Sequence, residues 1–416
     1  MRSIPAAWVA GSTILLLTAC NTAPPYASGA SAPPSAAASP SVPAGPAWVA
    51  TWGVAMTDGG QAFAKQTLRQ IVHTSVGGDG ARLKISNAFG TQPLVLGGVR
   101  IAQRVKDAAI DPVTDTAVTF GGKTTVTLAP GASVVSDRAE FAVTADTDLA
   151  VSVYLPAATG ETTRHPLGTQ TNFIGTGDQA AATTISGATT ASSYFFLTAL
   201  DVVNQEAAGT VVAFGASITD GRGSTPGANL RWPDLLADRL RASGRTFGVV
   251  NTGISGNRLT KNGKDGRGES APKRFQRDVL DRTGVAWVLI SDDPLNDLGS
   301  RKPVTSDQIL AVLKQLIARA HAADIRVICS TLTPFEGAGY WSARGEQGRT
   351  AYNAFVRSPE SGCDQVLAQD TATQDPADPT RFLAVNDSGD HLHPGDKGMQ
   401  AIAGAVDLDW FGPATR

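Results

Sequence analysis

The sequence predicts two folded parts in series: an antiparallel β-sandwich or jelly roll, followed by an α/β domain built on a parallel sheet. Three observations carry this. The chain has 416 residues, more than one ordinary compact domain and comfortable for two. From Trp48 to about Val203, short apolar or alternating runs are separated by turn residues, and no convincing amphipathic helix interrupts them. After Gln205 the rhythm changes to strands alternating with helical periodicity, the signature of a parallel sheet covered on both faces.

The first residues are read as export signals. Arg2 supplies a positive end, and the uncharged run Pro5 to Ala19 is long enough for a signal h-region but short for a membrane span. It ends in Leu17-Thr18-Ala19-Cys20, which resembles the bacterial lipobox, so Cys20 is expected to carry lipid after cleavage; the alternative is a plain secretory signal with an incidental cysteine. Asn21, rather than Asp, follows the cysteine, and in lipoproteins of this kind that implies sorting to the outer membrane. Residues 1–19 are thus a signal peptide. Residues 20–46 form a tether, with seven prolines, no charge and otherwise mostly Ala and Ser from Asn21 to Pro46. Its reach is at most ~80 Å if fully extended as polyproline.

The β-region, 47–203, is expected to place strands at Thr67–Val76, Ala81–Ile85, Leu94–Ala102, Thr124–Leu128, Leu149–Leu155 and Tyr194–Val203. In the second region, 204–416, Thr210–Phe214 reads as a buried strand, Trp232–Ala242 as a helix ended by Gly244, and Phe247–Asn251 and Ala286–Ser291 as further strands. Ser306 is placed to cap a helix whose apolar positions are Ile309, Leu310, Leu313, Leu316, Ile317 and Ala320, and Ile325–Ser330 completes the series. Functional groups on such a sheet gather at the carboxyl ends of the strands.

Four short blocks fall there: Phe214-Gly215-Ala216-Ser217-Ile218-Thr219-Asp220-Gly221, Asn251-Thr252-Gly253-Ile254-Ser255-Gly256-Asn257, Leu295-Asn296-Asp297, and Asp390-His391-Leu392-His393-Pro394. In this order they resemble the conserved blocks of the GDSL/SGNH hydrolases, whose domain is a flavodoxin-like parallel sheet. The resemblance implies Ser217 as nucleophile, His393 as general base and Asp390 as the acid that orients it. It also implies an oxyanion hole made by Ser217 N–H, Gly256 N–H and the Asn296 amide. Elementary chemistry agrees: a serine hydroxyl needs a neighbouring base, and a carboxylate three residues before an imidazole on a turn can fix its tautomer. The competing readings are that Ser217 only caps the following segment, and that His391 is the base instead of His393. His73, His165 and His321 read as structural.

Two departures stand out. Ala216 replaces the Asp of the GDSL tetrapeptide, and Pro294 occupies the place of the usual Gly in Gly-x-Asn-Asp, in a loop about one residue longer. Asp292, Asp293 and Asp297 cluster there; a hard cation is one reading, but carboxylates at strand ends more often accept loop N–H groups, and neither metal nor cofactor is expected. Cys329 and Cys363 either pair in the oxidising compartment or leave Cys329 as a buried thiol within an apolar run.

Trp48-Val49-Ala50-Thr51-Trp52, Leu68-Arg69-Gln70-Ile71-Val72 and Ile85-Ser86-Asn87-Ala88-Phe89-Gly90 resemble the N-terminal region of two-domain bacterial SGNH proteins. That resemblance implies esters of acetylated sugars or other short acyl esters as substrates. With 17% charged residues and a formal net charge of -2, the chain lacks the basic surface that nucleic acid requires. The leading expectation is a serine esterase acting on a small-molecule or carbohydrate ester, with the membrane reached through the N-terminal lipid. The alternatives are a non-catalytic carbohydrate-binding lipoprotein and a lipase or phospholipase; oligomeric state is not legible.

Overall fold

The computed structural model describes residues 47–299 and 304–413. The signal peptide, the tether and the lipidation site Cys20 lie outside the described residues. The described residues cluster as one compact unit.

Two antiparallel sheets face each other in the β-region. One runs Trp48–Gly53, Leu197–Val203, Ala81–Ser86 and Ser133–Val135; the other is centred on Gln66–His73, Asp148–Leu155 and Gly98–Lys106. Alternation puts Leu83, Ile85, Leu200 and Val202 of the first against Leu68, Val72, Val151 and Val153 of the second, and these side chains share one buried core. Two expected strands are each broken in two. Leu94–Ala102 divides at Gly97 into Leu94–Leu96 and Gly98–Lys106, which belong to different sheets. Tyr194–Val203 divides at Phe196, whose φ of 60° turns the chain out of one sheet and into the next. A single apolar run hides such a corner, because both halves are buried.

The second region holds five parallel strands in the order Gly248–Asn251, Thr210–Phe214, Val285–Ile290, Arg326–Ser330, Gln365–Leu367. This is the flavodoxin-like order 2-1-3-4-5. The central strands are apolar on both faces, with Val211 to Phe214 and Val288 to Ile290 all 0% exposed, as helices on both sides require. The helix Ser306–His321 buries Ile309, Leu313, Leu316, Ile317 and Ala320, as its periodicity predicts. Burial of each large aliphatic contributes about 1.5–3 kcal/mol. Its cap is Thr305 rather than Ser306, because Thr305 and Gln308 satisfy each other's backbone N–H in a capping box. The fifth strand is only three residues long, too short for an alternation pattern to reveal. Cys363, just before it, is disulfide-bonded to Cys329 of the neighbouring strand.

In an order 2-1-3, the connections leaving the first and third strands run to opposite sides, which opens a crevice at their carboxyl ends. Phe214 and Ile290 end those strands side by side. The loops that follow them carry Ser217 and Asp292.

Candidate active site

Ser217 starts a four-residue helix, Ser217–Asp220, separated by Gly215 and Ala216 from the strand Thr210–Phe214. The tight exit depends on Gly215, where a Cβ would stand 2.2 Å from Thr219 Oγ1 and 2.5 Å from Asp292 Oδ1. Ser217 Oγ lies 2.9 Å from His393 Nε2. His393 Nδ1 lies 2.6 Å from Asp390 Oδ2, and the other oxygen of Asp390 accepts from the backbone N–H of His393 at 2.8 Å and of Leu392 at 3.0 Å. Partial burial pushes the Asp390 carboxyl up, but the hydrogen bonds from His393 outweigh this and hold it below the usual carboxylate range. Asp390 is therefore ionised at neutral pH and fixes the proton on Nδ1, leaving the Nε2 lone pair facing Ser217. His391 points elsewhere, its Nδ1 on Asp387 at 2.7 Å, with its ring over Gly337.

Ser217, His393, Gly256 and Asn296 line one pocket of about 350 Å³. Gly256 adopts φ 79°, a conformation that favours glycine, in the turn after Gly248–Asn251. Among the described residues the N–H groups of Ser217 and Gly256 find no protein acceptor, so both remain as donors beside Ser217 Oγ. Asn296 stands on the helix Asp293–Leu298, and its Nδ2 donates to Asn257 O at 3.0 Å, which leaves one amide hydrogen for the pocket. Pro294 falls in the first turn of that helix, where its missing N–H costs nothing. Asn296 is thus mounted on a short helix whose first turn accommodates Pro294.

The departure at Ala216 is answered by Asp292. This carboxylate, 2% exposed, accepts from Ala216 N at 2.9 Å, Ile218 N at 2.8 Å, Thr219 N at 3.3 Å and Thr219 Oγ1 at 2.6 Å. The turn that presents Ser217 hangs on it. Asp297 accepts from Leu259 N at 2.7 Å and from Thr260 Oγ1. Asp293 faces Arg274 at 3.3 Å, and burial pushes its carboxyl up to about 7 despite that partner. Arg274, 0% exposed, donates to Gly215 O, Thr252 O and Asn257 Oδ1 at 2.7–2.9 Å and so ties the first two blocks together. Backbone, hydroxyl and guanidinium donors thus meet all three clustered aspartates, although Asp293 Oδ2 is buried without a partner.

One contributor comes from the β-region. His165, in the strand Thr162–His165, is buried, with Nδ1 2.8 Å from Ala55 O and Nε2 2.9 Å from Leu167 O and 3.0 Å from Asp220 Oδ1. Every neighbour of both nitrogens is an acceptor, so both must carry protons and His165 is an imidazolium. Burial alone would push its pKa down; the Asp220 carboxylate and the two carbonyls override that and raise it. Asp220 closes the Ser217 helix, and its other oxygen accepts from Ser255 N at 2.8 Å and Ser255 Oγ at 2.7 Å. His165 thus steadies the residue that joins the Ser217 turn to the Ser255-Gly256 turn. Its sequence neighbourhood carries no signal of this, since the partner lies fifty-five residues away, at the end of the Ser217 helix.

A search of curated proteins returns no match. Among solved structures, a catalytic mutant of an acetylxylan esterase from Geobacillus stearothermophilus is 22% identical, over 50% of this chain and 95% of that one, with a TM-score of 0.38. A GDSL-like lipase from Bacteroides thetaiotaomicron is 19% identical over 47% and 84%, with a TM-score of 0.35. An α/β hydrolase from the metagenome of Lake Arreo, Spain, is 23% identical over 48% and 93%, with a TM-score of 0.36. The GDSL-like lipase/acylhydrolase family matches residues 213–401, from within the first parallel strand to the helix beyond His393; over those residues the chain carries a domain of that family.

Proposed function

We propose that the chain is a metal-independent serine esterase that hydrolyses short-acyl carboxylic esters through an acyl-enzyme. The observation that carries this is the continuous relay from Ser217 Oγ through His393 to Asp390, at 2.9 and 2.6 Å, opening on a pocket beside two unspent N–H donors. His393 Nε2 takes the Ser217 hydroxyl proton as Oγ bonds to the acyl carbon. The carbonyl electron pair moves onto oxygen, which the N–H groups of Ser217 and Gly256 and the free hydrogen of the Asn296 amide receive. Collapse expels the alcohol oxygen, which takes the proton from His393, and water repeats the sequence to release the acid. Removing one such donor typically costs about 3 kcal/mol of transition-state stabilisation.

Short acyl groups are favoured over long ones because, among the described residues, Leu392 is the only aliphatic side chain lining the pocket, beside the Tyr340 ring and arginine, serine, asparagine and histidine side chains. The same reading tethers the enzyme to a membrane, by lipid on Cys20, on the strength of the Leu17–Cys20 motif. A fluorophosphonate probe together with p-nitrophenyl acetate tests the chemistry. Wild type should be labelled and turn over, while Ser217→Ala should do neither and keep its thermal stability. An unlabelled, inactive but folded wild type would instead point to a carbohydrate-binding surface protein.

A further inference from the structure

Among the described residues, the active-site pocket is lined by three arginines, Arg222, Arg258 and Arg267, and by no carboxylate. Among the described residues none of the three forms an ion pair, and the only side-chain hydrogen bond they make is from Arg258 Nε to Asn296 O at 3.1 Å. Arg267 lies directly over Gly256, its Cδ 2.9 Å from where a glycine Cβ would be. This concentration of positive charge is not a by-product of a basic chain, whose formal net charge is -2. In a concave site walled by protein, unpaired guanidinium groups raise the local concentration of anions and offer planar, bidentate donors to carboxylate or sulfate.

Arg222 also lines a second groove, of about 370 Å³, whose other wall is made by the β-region. That lining is rich in uncharged polar side chains, including Thr169, Gln170, Thr171, Thr190 and Ser192. Thr169 holds φ at 47°, a strained conformation for a β-branched residue, and its Oγ1 is buried without a partner. The strain is fixed from the opposite wall, where Gly227 N donates to Thr169 O at 3.0 Å. Gln170 is 4% exposed and spends only its Oε1, on Thr171 N at 2.9 Å, so its amide NH₂ is left for an occupant of the groove. Hydroxyl and amide groups on a concave surface that also carries Leu167, Ala191 and Pro226 suit a sugar, whose hydroxyls and apolar ring faces both need partners.

We infer that this groove is the leaving-group subsite, and that the leaving group is an acidic sugar chain whose carboxylate or sulfate groups are received by Arg222, Arg258 and Arg267. The inference rests on the esterase reading above. An acyl group on such a chain would enter the Ser217 pocket while the sugar backbone runs past Arg222 into the groove walled by residues 169–171 and 190–192. The β-region then acts in substrate selection as well as in support.

The test measures acetate release by the folded enzyme from acetylated oligosaccharides of matched length: a neutral xylo-oligosaccharide, a uronate series and a sulfated series. The expected result is kcat/KM at least about ten-fold higher for one of the acidic series at low salt, with the advantage shrinking toward one at about 0.5 M salt, where the Debye length has fallen to a few ångströms. Arg222→Gln, an exposed position, should cut the acidic-to-neutral ratio about ten-fold, mainly through KM, and Arg267→Gln should do the same independently. Preference for the neutral chain, an acidic preference indifferent to salt and to both substitutions, or faster cleavage of an anionic phospholipid than of any oligosaccharide overturns the inference. Ser217-dependent turnover of p-nitrophenyl acetate by the same preparation separates the two claims. If it is present without acidic preference, only the leaving-group assignment fails; if it is absent, the esterase reading itself has failed.

Discussion

Replacing Asp292 by asparagine keeps the shape of the side chain and removes one of the two acceptors on which the Ser217 turn depends. The better of the two amide orientations leaves the oxygen where Oδ1 now accepts from Ala216 N, Thr219 N and Thr219 Oγ1, and turns the NH₂ group toward Ile218 N–H. A buried donor facing another donor costs about 1–3 kcal/mol, and turning three charge-assisted bonds into neutral ones costs roughly 1 kcal/mol each. The total, about 4–6 kcal/mol, falls on one turn rather than on the whole fold. At roughly 2 °C per kcal/mol for a unit of this size, the melting temperature should drop by about 8–12 °C. A turn displaced by even ~1 Å moves Oγ out of line with His393 and the oxyanion donors, which lowers kcat on the order of 100-fold. Thermal unfolding and kcat for p-nitrophenyl acetate, with Ser217→Ala as the background, read both effects. If Asp292→Asn stays within about two-fold of wild-type kcat and melts at the wild-type temperature, the carboxylate does not hold the turn and the reasoning is wrong.

Three further outcomes are expected. His393→Ala should abolish ester hydrolysis, whereas His391→Ala, whose ring is exposed and bonded to Asp387, should keep most of it; the reverse pattern in a steady-state assay would move the base to His391. His165 has its pKa raised in the folded state by Asp220 and two carbonyls, so the stability it contributes is complete below the ordinary histidine range and is lost as pH rises through the folded value. The melting temperature of wild type relative to His165→Gln should therefore narrow with rising pH, and a constant difference from pH 5 to 9 would show that His165 is not held as a cation. A palmitate analogue should label wild type and leave Cys20→Ser unlabelled; an unlabelled wild type removes the tether without touching the catalytic proposal.

How much of this was legible in the sequence follows from what each feature depends on. The parallel strands Thr210–Phe214, Val285–Ile290 and Arg326–Ser330 were visible because a strand buried on both faces is a continuous apolar run. The site blocks were visible because the chemistry needs particular residue types just beyond those strands. What stayed hidden depends on contacts between distant segments. Ala216 looked like the loss of a support, yet the support comes from Asp292, seventy-six residues on, across the neighbouring strand. Pro294 looked like damage to a loop, yet it sits in the first turn of a helix, where the N–H it lacks has no intrahelical partner. The corner at Phe196 could not be foreseen, since positive φ at a buried aromatic is imposed by the sheets on either side of it.

The β-region is not an appendage that happens to precede a hydrolase. Ala50 N donates to Thr210 Oγ1 at 3.1 Å, at the start of the strand that leads to Ser217. Arg282, buried just before the third parallel strand, donates to Val54 O and Thr198 O of the β-region at 2.7 and 2.8 Å. Burial lowers the Arg282 pKa while Asp278 and Asp201 work against that, one carboxylate from each region. His165 then reaches the far end of the Ser217 helix. These contacts touch the entry to the first strand, the entry to the third, and the exit from the first. Buried polar groups at such a junction are costly unless every partner is in place, so the junction favours a single relative placement of the two regions. A fixed placement is what a groove with one wall from each region requires. The polar bonds that hold the β-region to the sheet therefore also set the distance from Gln170 to Ser217, and with it how far a substrate must extend to reach both.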